Sequence, residues 1–94
     1  MAVMTAASNL AVKYDATSDV LYVALGKPVP AETDMDGNGL LVRYAETDGH
    51  PCGVTVMGFR SPRWAHDVGR LTTLVANHLS VPIASVSKAL NKLE

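Results

Sequence analysis

The chain is 94 residues long, enough for one domain with a modest core and too short for two. With 48% apolar and 18% charged residues and a net charge of −1, it falls outside the range of disordered chains, and no apolar run approaches the roughly 18 residues needed to span a bilayer. Its one cysteine, Cys52, excludes an internal disulfide and supplies no CxxC pair for zinc or redox chemistry.

Strand signals fill the first two thirds. "LAVKY" alternates, with Leu10, Val12 and Tyr14 on one face and Ala11 and Lys13 on the other, and "DATSD" follows as a polar turn. "VLYVAL", residues 20 to 25, is apolar on both faces, which predicts a central strand covered on each side by helices or a second subunit. Pro28 and Pro30 mark a connection, after which "GLLVRY" aims Leu40, Val42 and Tyr44 one way and Leu41 and Arg43 the other. A turn at Asp48-Gly49 leads into "CGVTVMGF", where Val54 and Val56 oppose Thr55, Met57 and Phe59. Two successive hairpins make a four-stranded antiparallel β-meander over residues 8 to 59.

The period then changes. Ser61 before Pro62 is a helix start, with a hydroxyl to cap it and a proline at the first position. Trp64, Val68, Leu71, Val75 and Leu79 recur at helical spacing, with Gly69 inside the stripe as a weak point that leaves open one helix or two. Ser80 is placed to cap a further helix, with Pro82 in its first turn and Ile83, Val86, Leu90 and Leu93 as its stripe. The fold class is therefore α+β: one domain over residues 1 to 94, a meander followed by two or three C-terminal helices in residues 61 to 93.

Charge divides along the same line. Through Phe59, three Lys and Arg face seven acids, whereas from Arg60 onward five face two. The expectation is an acidic body with a basic tail.

"DMDGNG", residues 34 to 39, begins like a calcium-binding loop: Asp34, Asp36, Asn38 and Gly39 match positions 1, 3, 5 and 6 of the EF-hand pattern. The twelfth position, which needs a bidentate Glu, is Ala45, and the flanks read as strand and proline-bearing connection. The residues favour an Asx-type turn into a strand, and no metal site is predicted.

Other chemistry is sparse. His50, His66 and His78 are dispersed, and the adjacent His66 and Asp67 would not share a helical face. Cys52 and His50 have no third orienting group, and Asp15 and Asp19 read as turn caps rather than an acid-base couple. The expectation is a non-enzymatic protein with no catalytic residue and no cofactor. The opening "MAVMTAASNL" lacks a basic region followed by an apolar stretch, so a cytoplasmic location with no membrane partner is expected.

Two resemblances add to this reading. Tyr14-Asp15, Asp19, Leu21-Tyr22-Val23, Ala31-Glu32-Thr33, Leu41-Val42, Tyr44, Asp48-Gly49 and Gly53-Val54 form an ordered set. Residues 12 to 59 carrying it resemble the small bacterial family catalogued as domain of unknown function 2283. That resemblance implies the meander, no agreed biochemistry, and for some members a small toxin-like protein as partner. The sequence departs from the family pattern at Arg43, Ala45 and Thr55, where acids are common. In the tail, "VANHLSVPIASVSKALN" is similar to the helix-turn-helix of lactose-repressor-type regulators. It has small Ala76, the turn Leu79-Ser80-Val81 and Val86 to plug the angle between helices; it lacks the usual turn glycine. That likeness implies contact with double-stranded DNA through Ser87, Lys88, Asn91 and Lys92, chiefly at phosphates. Two functional readings follow: an antitoxin-like or regulatory interaction protein whose tail touches DNA, and a structural or protein-binding homodimer whose helices form its core.

Overall fold

The computed structural model describes residues 10 to 26 and 29 to 91. The first hairpin joins β1 (Leu10–Asp15) to β2 (Val20–Leu25), antiparallel and in continuous register from Leu10 opposite Leu25 to Asp15 opposite Val20. Its turn is closed by Asp15, whose carboxylate accepts the Thr17 N–H at 3.0 Å. Asp19 stands in the left-handed region at φ 57°, which an Asx side chain tolerates better than most.

β2 does not lead directly into a neighbouring strand. The next strand is β3 (Ala31–Met35), followed by β4 (Leu41–Ala45) and β5 (Pro51–Met57), and the sheet order is β1-β2-β5-β4-β3. The expected four strands are thus five, and the single meander is instead a hairpin joined edge-on to a three-stranded meander through β2 and β5. All four pairings are antiparallel. The missed strand, "AETDM", has four exposed residues of five and no apolar alternation. It is a strand because it lies at a sheet edge and bonds to β4, from Ala31 opposite Ala45 to Met35 opposite Leu41. Its acids and the preceding Pro30 are residues that discourage a second strand from adding there.

The pleat sorts the sheet into two faces. Val12, Val23, Val54 and Val42 lie opposite one another across β1, β2, β5 and β4, as do Tyr14, Leu21 and Val56 across the first three. These rows face the helices, and Leu21, Val23, Val54 and Val56 join Leu40 in the buried core. None of the described helices lies on the other face. A register shift between Arg43 and Tyr44 is where β4 departs from regular alternation. Phe59, expected on the strand face with Met57, lies beyond the end of β5 and packs against the core, edge-on to Tyr14 with centroids 5.6 Å apart.

Three helices cover the core face: α1 (Pro62–Ala65), α2 (Val68–Leu79) and α3 (Ile83–Asn91). α2 lies against β5 and α3 against β1. The periodic stripes supply their contacts: Leu71, Val75 and Leu79 from α2 and Val86 and Leu90 from α3 are buried in the same cluster as the sheet valines.

Four local expectations are corrected. The chain breaks at His66-Asp67, not at Gly69, which sits in the first turn of α2; Asp67, at φ −148° and ψ 50°, is outside the helical region. That break resets the helical phase, so Trp64 and Leu71 are buried while Val68, assigned to the same stripe, is 42% exposed. Ser61 precedes α1 as expected, but its hydroxyl makes no cap; its carbonyl accepts the Trp64 and Ala65 N–H groups instead. Ser80 ends α2 rather than starting α3: at φ 57° it takes the left-handed position that glycine usually fills, and the Pro82 carbonyl receives the first N–H groups of α3. Ile83 is half exposed rather than part of the buried stripe, and Leu93 lies outside the described residues.

Candidate functional site

The residues expected to touch DNA share the outer side of α3. Ser87, Lys88 and Asn91 are exposed while Val86 and Leu90 point into the core; Lys92 lies outside the described residues. Ala76 and Val86, the small and plugging residues of the helix-turn-helix pattern, are 2% and 0% exposed where α2 meets α3.

Asp36 and Asn38 have their oxygens committed within the protein. Asp34 is exposed on β3, apart from the turn proper. Asp36 Oδ1 accepts the N–H groups of Asn38 at 2.9 Å and Leu40 at 2.8 Å, as an Asx turn should, and Oδ2 lies 2.7 Å from Nε2 of His78 on α2. Burial opposes the charge on Asp36, but the Leu40 N–H, the His78 ring and the Asn38 N–H outweigh it and hold the carboxyl below its ordinary pKa. No sequence signal links Asp36 to His78, because the residues are 42 positions apart. Asn38 Oδ1 accepts from Arg70 at 2.8 Å. Among the described residues no group of three or more His, Cys, Asp or Glu is placed to hold a metal ion.

Tyr14 and Asp19, two of the motif residues, tie the first hairpin to the start of the helical segment. The Tyr14 hydroxyl donates to Asp19 Oδ1 at 2.7 Å, and the Arg60 N–H reaches the same oxygen at 3.0 Å. The Asp19 carbonyl accepts the N–H groups of Gly58 and Phe59. The accepting carboxylate raises the Tyr14 pKa, burial adds to the rise, and the Arg60 side chain opposes it. Arg60 also lies over the Tyr14 ring, 5.0 Å from its centroid. Asp15 and Asp19 serve different turn contacts and do not form a couple. His50 contacts Asp48 at the exposed β4–β5 turn, while Cys52 is buried, so the sequence neighbours point to different environments.

The largest feature outside the core is the helix-free face of the sheet. A continuous row crosses all five strands on that face: Lys13, Tyr22, Thr55, Leu41 and Met35, each opposite the next. Tyr22 is 43% and Met35 67% exposed, and Met57, one row over, is 59% exposed. The neighbouring row on the other side is flat: Ala11, Ala24 and Gly53, then Arg43 and Thr33. Gly53 has a close neighbour in its own sheet; a Cβ there would lie 3.0 Å from the Val23 carbonyl oxygen, and the Arg43 stem passes over it. Among the described residues, β2 is therefore covered by helices on one side only. Periodicity gave half of this surface; Met35, and with it the span to the far edge, depended on the missed strand.

The same face contains an open depression lined by Lys13, Tyr14, Asp15, Ala16 and Tyr22 at its β1 end. None of the described helices is long and apolar enough to cross a membrane. No curated protein and no solved structure matches the chain. A family model does match, over residues 11 to 60, which include the Tyr14–Asp19 tie, the acidic turn and every strand from β2 to β5. By that match the chain belongs to the family described as protein of unknown function (DUF2283).

Proposed function

We propose that this protein is a non-enzymatic interaction module that docks through the helix-free face of its sheet onto a second copy of itself. One observation carries the reading: a bulky row (Tyr22, Leu41, Met35) runs beside a flat row (Ala11, Ala24, Gly53) across that face. Two such surfaces related by a two-fold axis place the bulky row of each over the flat row of the other, as sheets do when they stack about 10 Å apart. Charges of both signs, Lys13, Asp15 and Arg43, lie on the same face, which an isologous contact needs to pair its rim. An exposed patch of tyrosine and methionine, Tyr22 with Met35 and Met57, is also what a monomer seldom leaves to water.

Tyr22→Lys is expected to convert a dimer into a monomer in sedimentation equilibrium. Its side chain lies outside the core, so the monomer should keep its helical circular dichroism. A wild-type protein that sediments as a monomer at every concentration tested, or a Tyr22→Lys variant that remains dimeric, refutes the docking face.

A second reading is favoured by a separate observation. Ser87, Lys88 and Asn91 are exposed together on α3, and Ser80 makes the left-handed turn before it. We propose, as that alternative, a regulatory, antitoxin-like role in which α3 contacts the phosphates of double-stranded DNA. Lys88→Ala should then weaken duplex binding across sequences and lower the salt slope by about 1, with the melting curve unchanged. Equal affinity and slope for wild type and variant would exclude that contact.

A further inference from the structure

We propose that Arg63 and Arg70 form a preorganised clamp for a phosphate group at the junction of α1, α2 and the acidic turn. Both guanidinium groups converge on one residue: Arg63 donates to the main-chain oxygen of Asn38, and Arg70 donates to its side-chain Oδ1 at 2.8 Å. Both also lie against one ring, with Arg63 Cζ 5.2 Å and Arg70 Cζ 5.6 Å from the centroid of the buried Trp64. The loop is shaped to admit this. At Gly39, φ is +86°, and a Cβ would come within 2.9 Å of Arg63 Nη1.

The partners that hold these cations in place do not neutralise them. Asn38 is uncharged, and among the described residues no carboxylate oxygen lies within 4.0 Å of either guanidinium. The neighbouring Asp36 carboxylate is already bonded to two backbone N–H groups and His78. Each arginine has five N–H donors and commits one of them to Asn38, and both side chains are exposed. Both cations are held on Asn38 and on the Trp64 ring, so an anion bound at this junction meets two positive charges. A guanidinium already held in place loses less freedom when it binds than a mobile lysine would. Planar forks that offer several N–H groups suit a tetrahedral oxyanion such as phosphate, whose charge of up to two suits a pair of cations. The phosphate can be free, as in inorganic phosphate or a small phosphorylated molecule, or part of a nucleic-acid backbone.

The protein contains its own probe, because Trp64, on which both arginines rest, is the only tryptophan. Its fluorescence is followed while inorganic phosphate is added at constant ionic strength, and in a second arm while a duplex oligonucleotide is added. A saturable change with phosphate that weakens about tenfold or more in Arg70→Gln, and less in Arg70→Lys, supports the clamp with a free phosphate as ligand. A change with the duplex alone that is lost in Arg70→Gln but kept in Lys88→Ala supports the clamp with a backbone phosphate as ligand. No saturable change in either arm overturns the proposal, and so does a change that Arg70→Gln leaves intact. Arg70 is exposed and its removal opens no core space, so the variant's melting curve should confirm that the protein being titrated is folded.

Discussion

Trp64→Ala is expected to destabilise the protein by about 3–5 kcal/mol, the range for removing a buried tryptophan. α1 has four residues and one of them, Trp64, is buried, at 2% exposure. The side chain is part of the cluster that includes Leu71 and Leu40, so its loss leaves a cavity between α1, α2 and the acidic turn. It also removes the ring against which Arg63 and Arg70 rest. A domain of this size has a total stability of about 5–14 kcal/mol, so the variant should show a urea midpoint far below wild type, and some of it unfolded in buffer. Circular dichroism is the readout, because the fluorophore is lost with the mutation. A midpoint within experimental scatter of wild type would mean that α1 is not part of the core.

Asp36→Ala should cost about 2–4 kcal/mol, although the residue belongs to a turn. Its carboxylate is only 14% exposed and accepts from two backbone N–H groups and from His78, and bonds to a charged group are each worth about 1.5–3 kcal/mol before they share one acceptor. Without it, the Asn38 and Leu40 N–H groups lose their acceptor, and α2 loses its tie to the loop that starts β4. Stability should also depend on pH through this residue. The folded-state pKa of Asp36 lies below its ordinary value, so the folded chain binds the proton less readily than the unfolded one. Its contribution is therefore complete above the unfolded carboxyl value of about 3.9, and is lost as pH falls below that value through the folded one. Asp36→Asn keeps an acceptor for the two N–H groups but carries no titrating charge. It should cost less than alanine and flatten the acid limb of the stability curve. An acid limb equally steep in wild type and Asp36→Asn would show that other carboxylates govern it.

What could be read from the residues was whatever periodicity encodes. Val12, Val23, Val42, Val54 and Val56 were assignable to one face because alternation puts every second residue on the same side. Leu71, Val75, Leu79, Val86 and Leu90 were assignable to helical stripes for the corresponding reason. β3 was not legible, since an edge strand with neither face buried has no apolar pattern to display, and "AETDM" is held by backbone bonds to β4 alone. The break at His66-Asp67 was displaced to Gly69 because a glycine's helix penalty is visible in a sequence, whereas the non-helical backbone at Asp67 is not. The helix-free face was legible in part: Tyr22, Leu41 and Met57 alternate in strands that were found, but their continuation to Met35 required the fifth strand.

The contacts that matter for the proposed surfaces belong to a different class. Arg63 meets Asn38 across 25 positions, Arg70 meets it across 32, and His78 meets Asp36 across 42. Local propensity and hydrophobic spacing determined, from the chain alone, that there would be an antiparallel sheet with amphipathic helices after it, because those preferences act over a few neighbouring residues. Only the tertiary structure decided that β5 would lie beside β2, that the described helices would all cover one face of the sheet, and that two arginines would converge on one asparagine. Pairings of this kind depend on which distant segments bury their apolar faces together, and a short-range pattern contains no record of that choice.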